Sequence, residues 1–245
     1  MPFVTVVGGA NIDIHGKSAG PLRQHDSNPG AVHITAGGVG RNIAENLARL
    51  GVGCRLITAV GDDDYGRLLL RLSKDAGVDV RNVHVIAAAP TSTYLSVIDT
   101  SGEMKVAISD MSVADQLTPE RLRRHASLLR ESAVIVLDTN LPEDSLAWIT
   151  GEFSDRPIFV DTVSTAKAPR IGKHLGAIHT LKTNAIEAET LTGLEASTMP
   201  QLEKLAEHLR GAGVDRVFVT RGSEGVFYSA GDEQGSMASR ANKVA

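Results

Sequence analysis

The sequence predicts an α/β protein in three layers: a mainly parallel central sheet with helices on both faces, and a small β layer set apart from it. Two observations predict it. Apolar runs of strand length alternate with amphipathic runs of helix length along most of the 245 residues, and such alternation folds as a parallel sheet covered by helices. One segment breaks that rhythm. The β-rich runs 91–98 and 104–109 flank Asp99-Thr-Ser-Gly-Glu103, which reads as a hairpin with a glycine-containing loop.

The elements follow in order. Residues 3–7 are β-branched and stop at Gly8-Gly9, a buried-type strand. Val39, Ile43, Leu47 and Leu50, with Ala44 and Ala48, recur at helical spacing, and Gly51 ends that helix. Residues 54–60 form the next strand. A helix over 65–76 turns Leu68, Leu69 and Leu72 inward and stops at Gly77, and a short strand follows at 82–86. From Leu117 the alternation resumes, with helix 119–131 before strand 133–137 and helix 143–151 before strand 157–161. Strand 178–182 precedes helix 185–192, helix 200–211 precedes strand 216–220, and 225–229 is one more strand.

Composition excludes several classes. A single cysteine, Cys54, leaves no internal disulfide and fits a reducing, cytoplasmic setting. The eight histidines show no metal-ligand spacing. The net charge of −4 and the lack of a long basic run argue against nucleic acid. No apolar run reaches the ~18 residues of a membrane span, and the start has no signal-peptide layout.

Small-molecule sites in parallel sheets lie at the carboxyl ends of the strands. The loops 8–13, 61–66, 138–141, 161–167 and 220–225 fall there, and each is rich in Gly, Asn, Asp, Ser or Thr. Asn11 and Asp13 stand two apart on an extended segment and so point the same way, a pair suited to vicinal hydroxyls or to a strand-end turn. Gly37-Gly38-Val39-Gly40-Arg41-Asn42 opens a helix, where backbone comes close to a ligand and free N–H groups attract oxygen. It is neither a Walker A loop nor a dinucleotide fingerprint, because no Gly-Lys-Ser/Thr follows and Ile43 stands where the third glycine belongs. Asn184 and Glu187 have capping-box spacing and equally suit a carboxylate and amide near magnesium waters. Thr220-Arg221-Gly222-Ser223-Glu224-Gly225 suits a polyphosphate or an ordinary hairpin, with Arg221 adding charge. Asp161 and Lys167 read as an ion pair or as site residues.

With these motifs in this order, the chain resembles the ribokinase-like (PfkB) carbohydrate kinase family along essentially its whole length. The resemblance implies one domain over 1–245, with lid segments at about 13–35 and 91–109. It implies that Asn11, Asp13, Gly37, Gly38 and Asn42 hold a sugar, assisted by Asn140, with Gly37-Gly38 as the hinge. Gly61-Asp62-Asp63-Asp64-Tyr65-Gly66 resembles the family's Gly-x-Asp-x-x-Gly turn. Asn184, Thr220, Gly222 and Gly225 would bind the nucleotide, and Glu187 would organise magnesium. ATP and Mg2+ are the implied cofactors, a monovalent cation is left open, and lids in relatives often pair across a homodimer.

The words Asp26-Ser-Asn28-Pro-Gly30, Gly102-Glu-Met104, Ser109-Asp-Met111 and Ile178-His-Thr-Leu-Lys182 resemble the pseudouridine-phosphorylating branch. The implied reaction is phosphorylation of a ribosyl 5′-hydroxyl, most closely that of pseudouridine. Kinases of adenosine, ribose or fructose, or a non-catalytic nucleoside binder, are the alternatives. Thr162 and Thr183 stand where relatives usually carry proline, a difference expected to alter loop stiffness more than chemistry. Relatives continue from a stretch like 238–244 into Gly-Ala-Gly-Asp, whose Asp is the catalytic base. That motif is absent up to Ala245, so the base is expected beyond it, in a longer native protein, and the 245-residue chain is expected to be inactive as it stands.

Overall fold

The computed structural model describes residues 2–239 and divides the chain into two compact units, Met1–Val7 with Thr118–Ala245, and Gly8–Leu117. Residues 240–245, on which most of the stretch 238–244 falls, lie outside the described residues, as does anything beyond Ala245.

In chain order, β1 (Val4–Val7) belongs to the first unit. The second unit contains β2 (Asn11–Ser18), β3 (Gly30–Gly37), α1 (Val39–Arg49), β4 (Cys54–Ile57), β5 (Ala59–Gly61) and α2 (Asp64–Asp75). It closes with β6 (His84–Ile86), β7 (Thr93–Ile98) and β8 (Met104–Asp110). The first unit then resumes with α3 (Pro119–Arg123), α4 (Ala126–Glu131), β9 (Val134–Asp138), α5 (Glu143–Glu152), β10 (Ile158–Asp161) and β11 (Thr180–Asn184). It ends in α6 (Ala185–Thr192), α7 (Met199–Gly211), β12 (Arg216–Thr220), β13 (Val226–Ala230) and β14 (Glu233–Met237).

Within the first unit the strand order is β14-β13-β12-β11-β10-β9-β1. β1, β9, β10, β11 and β12 run parallel, and β13 and β14 are antiparallel. Ile135, Val136 and Leu137 are successive and all buried, so β9 is covered on both faces, as a parallel strand between helical layers must be. The helices around this sheet give the predicted three-layer α/β/α architecture.

In the second unit β3-β2-β7-β8 form a separate sheet, with β2 parallel to β7 and antiparallel to β3. The expected lid segments fall on it. Residues 91–109 form its predicted hairpin, in which Asp99 N–H donates to Glu103 O at 3.0 Å. The expected loop 8–13 is shorter than read: Asn11, Ile12 and Asp13 already belong to β2.

The expected strand 54–60 is two. It breaks at Thr58, and β5 pairs instead with β6. The expected helix 119–131 is also two, because Arg124 and His125 N–H groups reach back only three residues, to Arg121 O and Leu122 O. A 3-10 helix at Ala168–Ala177 and the edge strand β14 carry no clear periodicity and were not predicted.

Candidate active site

In the second unit the predicted sugar grip is built from backbone proximity. Asn11 opens β2 directly opposite Gly37, the last residue of β3. Asn11 Nδ2 donates to Asp13 Oδ1 at 2.6 Å, as expected for residues i and i+2 on one face of a strand. A Cβ at Gly37 would stand 2.6 Å from Asp13 Cγ, so glycine makes room for that carboxylate. Gly38 has φ +95°, and a Cβ there would stand 2.5 Å from Ala10 Cα. Only glycine combines that conformation with that approach. Gly38 is also the N-cap of α1 and provides no side chain to cap it.

Asn42, exposed in the first turn of α1, is not a free amide. Its Oδ1 accepts from Arg41 Nη1 at 2.9 Å. Arg41 is buried and was read only as part of the motif; its other partners are Ser73, Ala36 and Glu45.

The Gly-x-Asp-x-x-Gly turn has a structural role. Asp63 caps α2 by accepting from Gly66 N at 2.7 Å, and it also accepts from Thr91 N at 2.8 Å and Thr91 Oγ1 at 2.6 Å. Burial pushes the Asp63 carboxyl up, but the hydrogen bonds from Thr91 and Gly66 outweigh it and hold it below the ordinary range.

In the first unit, side chains at the ends of β9, β10, β11 and β12 form the other half of the predicted set. Asn184 and Glu187 complete a reciprocal capping box at the start of α6. Glu187 N donates to Asn184 Oδ1 at 2.8 Å, and Asn184 N donates to Glu187 Oε2 at 3.2 Å. Asn184 Nδ2 donates to Glu187 Oε1 at 2.7 Å, and Thr162 Oγ1 to Oε2 at 2.6 Å. Thr162 also meets Thr183 Oγ1 at 2.9 Å, both fully buried. The two threonines were expected to affect stiffness more than chemistry; the Thr162 hydroxyl holds the Glu187 carboxylate, and Thr183 reaches it only through Thr162.

Asp161 and Lys167 do not pair with each other. Lys182 Nζ lies 3.0 Å from Asp161 Oδ2, while Lys167 Nζ donates to Asn140 Oδ1 at 2.5 Å. The turn after β10 brings Lys167 round: Ser164 N donates to Thr162 O at 2.6 Å across Val163, whose φ is +60°. A β-branched residue in that region is strained and must be held by its surroundings. Arg170 Nη1 clamps the Asn140 loop through the carbonyls of Thr139, Asn140 and Leu141 at 3.3, 3.2 and 3.1 Å. Lys167 was read as a candidate with another partner, and no spacing rule marks Arg170, because each meets its partner only through the fold.

Asn184, Thr220 and Gly222 line one cavity of about 430 Å3, together with Ile186, Ser197 and Arg221. Gly225 does not line it. It has φ +95°, and a Cβ there would run into Met237 O at the end of β14 and stand 2.7 Å from Ser239 N just beyond it. Arg221 is not a free cation for phosphate, because it is paired with Glu224. Thus Asn11, Asp13, Gly37, Gly38 and Asn42 sit in one unit, and Asn140, Asn184, Glu187, Thr220, Gly222 and Gly225 in the other.

Polar side chains gathered where parallel strands end, in a large helix-covered sheet, define an α/β protein with a candidate small-molecule site at its strand ends. The solved ribokinase of Arabidopsis thaliana complexed with ribose and ATP superposes with a TM-score of 0.87 at 22% identity, covering 97% of this chain and 78% of that one. The chain belongs to the pfkB family of carbohydrate kinases, which matches it over residues 1–245, and so to the ATP-dependent sugar or nucleoside kinases. It is similar to the pseudouridine kinase of Escherichia coli (strain K12), 43% identical over 227 residues, 93% of this chain and 72% of the relative. It is also similar to an uncharacterized sugar kinase of the same organism, 39% identical over 94% of this chain, and spans 64% of that relative. No described helix is long and apolar enough to cross a membrane.

Proposed function

We propose that the protein transfers the γ-phosphoryl group of ATP to the 5′-hydroxyl of a ribosyl substrate, and that this substrate is pseudouridine. The 43% identity to a pseudouridine kinase across 93% of the chain carries the reading. In this reaction the 5′-oxygen attacks the γ-phosphorus, the bond to the bridging oxygen breaks, and ADP leaves. Phosphoryl transfer depends mainly on positioning and charge neutralisation.

Asn11, Asp13, Gly37, Gly38 and Asn42 bind the ribose in this proposal. A carboxylate accepts from hydroxyls and an amide does both, so Asp13 and Asn11 suit a diol. Asn184, Thr220, Gly222 and Gly225 bind the nucleotide. Glu187 Oε2 accepts from both Thr162 Oγ1 and Asn184 N, while Oε1 accepts from Asn184 Nδ2 and keeps a second lone pair, which fits Mg2+ held through water. Bound magnesium would neutralise charge on the phosphates. The four-stranded sheet acts as a lid that excludes water.

That sheet also supports a homodimer through the lid. Strand alternation puts Val32, Ile34, Leu95, Val106 and Ile108 on one face, and all are exposed, Val32 at 67% and Ile108 at 64%. A contiguous apolar face of this kind marks an interface, here with a second copy. A dimer mass in light scattering that falls to the monomer in Ile34→Glu supports it, and a wild-type monomer overturns it. The reducing setting implied by a lone buried Cys54 supports a cytoplasmic location.

Phosphate transfer from ATP to pseudouridine, uridine, adenosine, ribose and fructose tests the main reading. We expect pseudouridine to lead in kcat/KM by at least about tenfold, worth roughly 1.4 kcal/mol of transition-state binding. Preference for adenosine, ribose or fructose reassigns the substrate. Nucleoside binding without transfer in a protein that carries the Gly-Ala-Gly-Asp motif supports a non-catalytic binder.

A further inference from the structure

Arg41 is only 4% exposed, and a guanidinium stays charged and donates without accepting. Burying such a group is tolerable only when its N–H groups are met. Nε donates to Ser73 Oγ at 3.2 Å and Nη1 to Ala36 O at 3.1 Å. Nη1 also donates to Asn42 Oδ1 at 2.9 Å, and Nη2 pairs with Glu45. Burial pushes the Glu45 carboxyl up, but the bonds and charges of Arg49 and Arg41 outweigh it and hold it below the ordinary range.

Because a guanidinium cannot accept, the Asn42 atom that faces it has to be the carbonyl oxygen. That leaves Nδ2 of this exposed amide with both hydrogens for a ligand, while Oδ1 keeps one lone pair. We propose that Arg41 is a positioning residue of the acceptor site. It fixes which way round the Asn42 amide lies, so that Nδ2 serves as the donor to a ligand, and it ties that amide to Ala36, one residue before the Gly37-Gly38 turn. A sugar hydroxyl needs one donor and one acceptor from the protein. Asn42 Nδ2 supplies the donor, and the Asp13 carboxylate can only accept. The two are chemically complementary, so a hydroxyl that meets both donates its proton to a hydrogen bond with Asp13. This inference rests on the reading of Asn42 as a sugar contact.

Calorimetric binding of pseudouridine to wild type, Arg41→Lys, Asn42→Ala, the double variant and Asn42→Asp tests it, with melting followed in parallel. A lysine keeps the charge but has no fork to span Ala36 and Asn42. Arg41→Lys and Asn42→Ala should each weaken binding about tenfold. The double variant should be no weaker than Asn42→Ala, because Arg41 acts through Asn42. Asn42→Asp puts an acceptor beside the guanidinium, so melting should hold or rise while affinity falls at least as far as in Asn42→Ala. Additive losses in the double variant, or wild-type affinity in Asn42→Asp, overturn the inference while leaving the substrate reading intact. Wild-type protein that binds no pseudouridine overturns both. Asn42 is exposed, so its variants decide the matter even if Arg41→Lys fails to fold.

Discussion

The turn at Gly37-Gly38 and the turn at Gly222–Gly225 are both glycine-rich, yet the glycines do different things in them. At Gly37 and Gly38 the missing side chains let Asp13 and the Ala10 backbone approach within distances a Cβ would forbid. At Gly222 nothing lies within 4 Å of a would-be Cβ, and only a φ of +57° calls for glycine. The first turn is a packing solution at both glycines; in the second, Gly222 answers handedness alone, whereas Gly225 also packs against Met237 and Ser239. The neighbouring arginines differ in parallel: Arg41 is buried in a network that orients Asn42, while Arg221 is matched locally by Glu224. A glycine-rich word therefore signals a backbone requirement first, and its surroundings decide whether that requirement serves a ligand.

Substitutions at these turns can break the comparison. Gly38→Ala should have the largest effect, because a strained φ adds to a clash with backbone that cannot move aside. A loss of about 3–4 kcal/mol is expected in denaturant unfolding, and a near-neutral result would show that the turn is less tightly packed than its geometry states.

Asp63→Asn, at the other glycine turn of the same unit, should cost about 1.5–3 kcal/mol at neutral pH, because three donors converge on one charge. The folded Asp63 carboxyl lies below its ordinary 3.8. Its contribution is therefore complete above the unfolded value and is lost as pH falls through the folded one. The gap in stability between wild type and variant should close below about pH 4, and a gap independent of pH would remove the charge from the explanation.

Gly222→Ala should be the mildest, at about 1–2 kcal/mol for the left-handed backbone alone. A loss as large as that of Gly38→Ala would erase the distinction between the two turns.

Much of the fold was legible because periodicity reports burial directly. The strand at 216–220 and the helix at 185–192 fall where their patterns put them. The strand break at Thr58 was not legible, since the apolar run continues through it while the hydrogen-bonding partner changes. β2 was partly missed because Asn11, Asp13 and Gly16 favour turns, and only pairing with β3 and β7 on either side makes them a strand. In the candidate site, Asn184-x-x-Glu187 was visible as a local spacing, and its capping box formed. Thr162, 25 residues away, reaches the same carboxylate only because β10 and β11 are neighbours.

The sequence by itself determined the α/β class, the order of the elements and the residue types at the strand ends, because these follow from local periodicity and backbone preference. Only the tertiary structure decided the pairing of Lys167 with Asn140, of Lys182 with Asp161 and of Arg41 with Asn42's carbonyl oxygen. The first two join residues distant in sequence. The third joins neighbours, but it needs the burial that Ser73 and Ala36 supply. A charge chooses its partner by proximity and desolvation, and both are properties of the packed molecule.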